Sequence, residues 1–132
     1  MPQSAFNAMY LLPVAIGSAL GGMARYAMTD VVQSRADSTF PFGTLAVNVL
    51  GCLLIGIFFQ FASGRFSPAV QVLLTTGFCG GFTTFSTFSY ESVRLVQEGL
   101  WQRAVVYVGV SVAFGLGAFW LGTTLVHSAS AP

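Results

Sequence analysis

Long apolar stretches separated by short polar pieces make up most of the chain. Their lengths predict four membrane-spanning regions, at about 8–28, 42–61, 69–98 and 101–126. A bilayer core of ~30 Å requires ~20 helical residues at ~1.5 Å each, so each region is long enough to cross. Lipid admits only helices or closed barrels, and the sequence lacks the short alternating segments of barrel strands. We therefore expect an all-α membrane protein with a single transmembrane domain over residues 1–132.

The polar pieces between these regions hold several of the charged side chains. Residues 29–40 contain Asp30, Arg35 and Asp37 and are expected to form a short amphipathic connection at the membrane surface. A tight loop over 62–68 follows the second span, and a short Ser/Ala tail follows the fourth. The distribution of basic residues favours one orientation only marginally.

The composition supports the membrane assignment and excludes other classes. Apolar residues make up 55% of the chain and charged residues only 7%. Soluble domains carry roughly 25% charged residues, so this chain could not solvate a water-facing surface of its size. A net charge of +1 offers no phosphate-neutralising patch, so we expect no nucleic-acid partner. No nucleophile, base and orienting group occur together, so we expect no enzyme.

Small residues recur at helical spacing within the spans, which predicts close contacts between helices. They are Gly17 and Gly21, Cys52 and Gly56, and then Ser111, Gly115, Ala118 and Gly122. Small faces of this kind let helix backbones approach closely in lipid. Cys52 and Cys79 have no paired spacing, so we expect both to pack as small apolar residues. Four short spans enclose little interior, so we expect a homodimer.

The third region carries the most unusual polar pattern. Seven hydroxyl residues and three glycines occupy positions 75–89, at the depth of the bilayer. Each Gly costs a helix ~1 kcal/mol relative to Ala, so we expect the helix to break at Gly80-Gly81 and to restart at about Thr84. Such a break frees carbonyl oxygens, which are good ligands for a small hard cation such as Na⁺. A kink closed by Ser and Thr side chains is the alternative.

Aromatic rings and hydroxyls follow the expected break. Phe82, Phe85 and Phe88 recur every third residue, and Ser86 and Ser89 share a neighbouring face. The ring edge of Phe is electropositive and a hydroxyl donates hydrogen bonds, so together they offer a dehydrated anion several weak contacts. Conduction needs such weakness, because a full positive charge would hold the ion. Ordinary core packing of the rings is the alternative.

Three further polar residues fall within the spans. Asn48 lies in the second span, and Tyr107 and Ser111 lie four residues apart on the fourth. Each can donate a hydrogen bond to a passing anion, or it can pin two helices together. Glu91 lies about one turn beyond Phe88, and no acidic side chain in the middle of a span has an obvious proton-relay partner.

Three motifs together resemble the Fluc (CrcB) fluoride channels, and the match covers nearly the whole chain. The motifs are Gly21-Gly22 with Arg25, Gly43-Thr44-Leu45 with Asn48, and the run 75–89 followed by Glu91. The resemblance implies a fluoride-selective channel that exports F⁻ passively and lowers cytoplasmic fluoride. It also implies a multi-pass protein of a bacterial-type inner (plasma) membrane.

The same resemblance implies an antiparallel dual-topology homodimer with two narrow fluoride pathways. A structural Na⁺ would lie at its centre, held by the backbone carbonyls of Gly80 and Thr83 from each subunit. Phe85 and Phe88 would be the pore-lining rings. The other pathway residues implied are Asn48, Ser86, Thr87, Tyr107 and Ser111, with Arg25 in a vestibule near a pore entrance. Gly115 is a departure, because family members commonly carry a serine there.

Two other function classes compete with the channel. A small four-helix multidrug-type exporter needs a membrane-embedded carboxylate to exchange protons for cationic substrates, and the first span has none. An accessory membrane subunit would leave the polar pattern of the third region without a purpose. We therefore predict the channel.

Overall fold

The computed structural model describes residues 6–62 and 64–129, and the described part of the chain is all-helical. The prediction of an all-α protein is confirmed there. A 3₁₀ turn leads into the first of five helices. The turn covers Ala8–Tyr10, α1 covers Leu11–Ala36, α2 covers Phe42–Ala62, α3 covers 68–82, α4 covers Phe85–Gln97 and α5 covers Trp101–Ala129. The last three residues of the expected Ser/Ala tail lie outside the described residues.

Within the described part of the chain, three segments are long and apolar enough to cross a membrane. They are Ala8–Ala36, Phe42–Phe61 and Trp101–His127. Neither α3 nor α4 is long enough alone, since ~20 helical residues are needed to cross the hydrocarbon core. The two helices follow one another through a two-residue interruption and together fill the third predicted region.

The first helix extends beyond its predicted end at residue 28. It continues to Ala36 and ends where Asp37 adopts a left-handed conformation with φ 42°. The polar residues 29–36 include no Gly or Pro, so loss of hydrophobicity there does not end the helix. The Gln33 side chain ties the following loop to this extension: its amide nitrogen donates to Ser38 O at 2.7 Å and Phe40 O at 3.1 Å.

The interruption of the third region lies later than predicted. Helical structure runs through Pro68–Val72, a π-helical segment Leu73–Cys79 and Gly80–Phe82. Thr83 (φ −88°, ψ 160°) and Thr84 (φ −150°, ψ 112°) are the extended residues. The predicted position of the break, Gly80-Gly81, is therefore wrong by about two residues, whereas the predicted restart at about Thr84 is confirmed, because Thr84 is the N-cap of α4.

Close packing explains why Gly81 stays helical. A Cβ atom at Gly81 would lie 2.5 Å from Ser18 O, so α1 could not pack against α3 with any larger residue there. Gly17 and Gly21 allow the same close approach from the α1 side, because a side chain on either would collide with the α3 backbone. Glycine serves here for backbone approach and not for flexibility.

A second close interface joins α2 and α5. Side chains at Gly56 or Gly122 would collide with backbone carbonyls of the opposite helix. The expectation that small residues permit close helix contacts is confirmed at both interfaces. The α1–α3 pair and the α2–α5 pair lie on either side of the extended residues Thr83 and Thr84, because α2 also contacts α3 and α4.

Candidate functional site

A groove of about 610 Å³ lies where α2, α3, α4 and α5 meet. It brings together six of the predicted site residues: Asn48, Gly80, Thr83, Phe85, Phe88 and Ser111. Ser86, Thr87, Tyr107 and Arg25 are not among the residues that line it. Its described lining residues are all uncharged, so the groove offers hydrogen-bond donors and ring edges without an ionised group.

Asn48 holds the interruption by a reciprocal pair of hydrogen bonds. Its Nδ2 donates to Thr84 O at 3.0 Å, and its Oδ1 accepts from Thr84 N at 2.7 Å. Both polar backbone groups of an extended residue at bilayer depth are thereby satisfied, which lipid could not do. The alternative that Asn48 pins two elements is thus realised. An amide nitrogen carries two hydrogens, so one donor remains for a ligand.

Thr84 also caps the helix that follows. Its Oγ1 accepts from Thr87 N at 3.2 Å and donates to Thr87 Oγ1 at 3.0 Å. The Ser86 hydroxyl lies 3.2 Å from the same oxygen. Ser86 and Thr87 therefore belong to a hydroxyl cluster at the positive, N-terminal end of α4.

The interruption redirects two backbone donors away from their helical acceptors. In a continuous helix, Thr84 N would donate to Gly80 O and Thr87 N to Thr83 O. Here Thr84 N donates to Asn48 and Thr87 N donates to Thr84 Oγ1. The carbonyls of Gly80 and Thr83 consequently lose their usual helical donors.

Arg25 contacts the backbone carbonyl of Gly81, which lies between Gly80 and Thr83 in the chain. Its Nε donates to Gly81 O at 3.1 Å, which joins α1 to the end of α3. Arg25 is half-buried, and through this bond its guanidinium caps the end of α3. A position near a pore entrance, as the resemblance implies, stays a prediction.

Two phenylalanines present their rings beside the groove. The ring centroids of Phe85 and Phe88 are 5.7 Å apart and their planes are tilted by 43°. Phe85 is 79% exposed, whereas Phe88 is half-buried and contacts the Tyr107 ring at 5.3 Å. The Phe85 ring is thus one of the least covered large side chains of this surface.

Tyr107 belongs to a separate buried cluster, which sequence reasoning did not assemble. Its hydroxyl donates to Glu91 Oε2 at 2.8 Å, and Thr44 Oγ1 donates to Glu91 Oε1 at 2.8 Å. Tyr107 is 0% exposed and Thr44 is 1% exposed. Tyr107 therefore bridges helices in this chain. No signal in the sequence pairs these three, because they lie on different helices.

Ser111 differs from every polar residue above. Its Oγ is buried and has no hydrogen-bond partner among the described residues. An unsatisfied buried hydroxyl costs about 1–3 kcal/mol. Ser111 also lines the groove, although its Oγ itself is enclosed.

A metal ion would have few side-chain ligands here. Among the described residues, no group of three or more His, Cys, Asp or Glu side chains could hold one.

Comparison with known proteins yields one family and many relatives. The family model described as "CrcB-like protein, Camphor Resistance (CrcB)" matches residues 12–123. The fluoride-specific ion channel FluC of Acidobacterium capsulatum is 46% identical over 116 residues, covering 86% of this chain and 93% of that protein. FluC of Nitratidesulfovibrio vulgaris strain Miyazaki F is 44% identical over 111 residues, covering 83% and 90%. FluC 1 of Thermobifida fusca is 43% identical over 118 residues, covering 89% and 96%.

Proposed function

The chain belongs to the CrcB family, and from this membership we propose that it is a fluoride-specific ion channel. It is a transporter rather than an enzyme. The observation that carries the proposal is the uncharged groove, in which an amide, an unpartnered hydroxyl and two phenylalanine rings converge. Such a site suits a small anion that must bind and leave quickly.

Fluoride gives up strong hydration when it enters a narrow path, so the protein must replace water with donors. The free Nδ2 hydrogen of Asn48, the Ser111 hydroxyl and the electropositive edges of Phe85 and Phe88 are candidate donors. Each contact is weaker than an ion pair, which lets the anion leave again. Ser86 and Thr87 add hydroxyls at the positive end of α4.

Export requires no energy coupling. Hydrogen fluoride crosses lipid uncharged and dissociates inside, which traps the anion there. A cell interior that is negative favours exit of F⁻ by ~2.3 kcal/mol per 100 mV. We place the protein in the inner membrane of a bacterial cell as a multi-pass protein, consistent with its three long apolar helices.

We further propose an antiparallel dual-topology homodimer. Phe85 is 79% exposed, and Thr76, Gly80 and Ser86 are exposed near it. Exposed hydroxyls at bilayer depth are unfavourable against hydrocarbon, so protein cover is preferred there. A two-fold pair would place this surface against the same surface of a second copy, and the groove would become an enclosed path.

A structural Na⁺ at the centre of that dimer is the third part of the proposal. The carbonyls of Gly80 and Thr83 have lost their helical donors, and carbonyl oxygens are the ligands such a cation takes. Two copies would offer four of them. A bound Na⁺ would supply positive charge that stabilises these carbonyls.

Substitution at Gly80 tests the sodium proposal. Nothing in the chain lies within 4 Å of a Cβ placed at Gly80, so Gly80→Val should not disturb the subunit itself. We expect the variant to lose Na⁺-dependent dimer stability, measured by size exclusion in sodium and in N-methylglucamine buffers. Gly109→Val, also in open space on α5, is the matched control. A Gly80→Val dimer with unchanged sodium dependence would contradict the site.

Fluoride efflux from liposomes tests the function. Purified protein is reconstituted, and release of fluoride and of chloride is followed with ion-selective electrodes. We expect rapid fluoride release with negligible chloride release. Equal release of both ions would refute selectivity, and no release from a well-folded dimer would refute conduction.

A further inference from the structure

A second groove lies between α2 and α5, on a different face of this helix pair from the groove that holds Asn48. Two adjoining cavities of about 580 Å³ and about 280 Å³ form it, and both are lined by Ala46, Val49 and Phe114. All the other residues that line them are also apolar or glycine. None of these residues lines the first groove, so the proposed pairing of two copies through the first groove does not use this one. We call it the apolar groove.

The length of the apolar groove matches one leaflet of a bilayer. The groove follows α2 from Phe42, the first residue of that helix, to Leu53. These ~11 helical steps of ~1.5 Å give a length of ~16 Å. Half of a hydrocarbon core of ~30 Å is ~15 Å. The groove therefore begins where α2 enters the membrane and has the length that an acyl chain of one leaflet spans.

Two arginines lie at the end of the groove where α2 begins. Arg35 lies one turn after Val32 on α1, and Val32 lines the groove. Arg103 lies two turns before Val110 on the same face of α5, and Val110 lines the groove as well. Trp101, the first residue of α5, is 60% exposed, and exposed tryptophan is enriched at the membrane–water interface. This end of the groove therefore lies at the depth of lipid headgroups.

Both guanidinium groups are exposed and neither is neutralised by a carboxylate. The only ion pair among the described residues lies at the end of α4, so Asp30 and Asp37 pair with neither arginine. Arg103 donates a hydrogen bond to the hydroxyl of Thr39, which holds its side chain beside the loop that leads into α2. A guanidinium carries five N–H donors, so most of those of Arg103 remain for a ligand. Two unpaired cations at the head of an apolar groove complement a headgroup phosphate attached to a hydrocarbon chain.

We propose that the apolar groove binds one acyl chain of an anionic phospholipid, whose phosphate group is held by Arg35 and Arg103. Basic side chains beside clefts between membrane helices attract anionic headgroups, and each one near the surface strengthens binding about fivefold. A bound lipid would join α1 to α5 across the groove. The site belongs to the single subunit and does not depend on the fluoride pathway.

Charge variants test the headgroup part of the site. Native mass spectrometry in a neutral detergent measures the affinity of the purified protein for palmitoyl-oleoyl-phosphatidylglycerol and for the net-neutral phosphatidylcholine with the same chains. We expect the unaltered protein to bind phosphatidylglycerol about 25-fold more tightly, the product of two fivefold factors. Arg35→Gln and Arg103→Gln should each lower this preference about fivefold, and the double variant should abolish it. Arg65→Gln, an exposed arginine beyond the other end of α2, is the matched control and should keep the preference.

Gly117→Leu tests the acyl-chain part of the site. Gly117 lines the groove, and nothing lies within 4 Å of a Cβ placed there, so a larger side chain enters the groove without a collision at its Cβ. Binding of both lipids should fall about tenfold, the factor for about two methylene groups that lose their burial, while the preference for the anionic lipid stays. Gly109→Leu, also in open space on α5 but outside both cavities, should bind both lipids as the unaltered protein does.

Several outcomes overturn the proposal. One is equal affinity of the unaltered protein for the two lipids, and another is a preference that survives in the double arginine variant. Equal lipid binding by Gly117→Leu and Gly109→Leu overturns the acyl-chain assignment. Size exclusion distinguishes the other occupant, because a dimer lost in Gly117→Leu alone, with lipid binding unchanged, makes the groove an interface between copies of the chain.

Discussion

Two polar regions lie within the span-forming part of this chain, and they are built in opposite ways. In the buried cluster, Glu91 carries an acidic group whose two oxygens each accept a hydrogen bond at 2.8 Å, from Thr44 and Tyr107. In the groove, the lining residues are uncharged and the Ser111 hydroxyl has no partner among the described residues.

The difference separates polar groups that hold helices from polar groups that await a ligand. Satisfied groups in a low-dielectric interior tie their helices together, because breaking them leaves an unpaired dipole or charge. Unsatisfied groups carry that cost until something binds. The Asn48 amide belongs to both kinds, since it pairs with Thr84 and retains one free hydrogen.

The largest expected effect is loss of conduction in Asn48→Asp. The carboxylate keeps the bond from Thr84 N, loses the donor to Thr84 O and places negative charge on an anion path. We expect fluoride efflux to fall at least about 100-fold, as a barrier raised by about 3 kcal/mol requires. Gln60→Glu, the same change on α2 outside the groove, should conduct normally. A normal rate in Asn48→Asp would make Asn48 purely structural.

Removal of the acceptor in the buried cluster should mainly lower stability. Glu91→Ala leaves the Tyr107 and Thr44 hydroxyls unpaired, at about 1–3 kcal/mol each, so the free energy of unfolding should fall by at least about 2 kcal/mol. A denaturant titration of the protein in detergent measures this free energy. Glu98→Ala is the matched control: its ion pair with Arg94, at 3.2 Å, is exposed and contributes at most about 1 kcal/mol. Equal stability of the two variants would remove the contrast between the regions.

The smallest effect concerns the ring edges. Phe88→Leu keeps apolar bulk and removes the electropositive edge, so efflux should slow about tenfold, which corresponds to about 1.4 kcal/mol. Phe114→Leu, an exposed ring outside this groove, is the control. Unchanged efflux in Phe88→Leu with an intact dimer would show that the ring serves packing alone.

The position of the interruption shows where sequence reasoning stops. Intrinsic propensity placed the break at Gly80-Gly81, because glycine is a poor helix former. Backbone contact with Ser18 of α1 keeps Gly81 in the helix, and the Asn48 amide instead stabilises extended backbone at Thr84. Both contacts join residues that lie far apart in the chain, so no local pattern could reveal them.

The role of Tyr107 was ambiguous for the same reason. Its spacing to Ser111 predicted a shared face of one helix, and both residues do lie on α5. The hydroxyl of Tyr107 nevertheless meets Glu91 from α4, and the hydroxyl of Ser111 meets no partner among the described residues. Two donors one turn apart thus acquire different tasks from the helices that face them.

The amino-acid sequence by itself determined the membrane setting, the all-helical class, the close helix contacts through small residues and the family. Those follow from hydropathy, segment length and residue size, which are local properties of the chain. Only the tertiary structure decided which carbonyls lose their donors and which hydroxyl stays unpaired. Each of these depends on a hydrogen bond or a contact between helices that are distant in the chain.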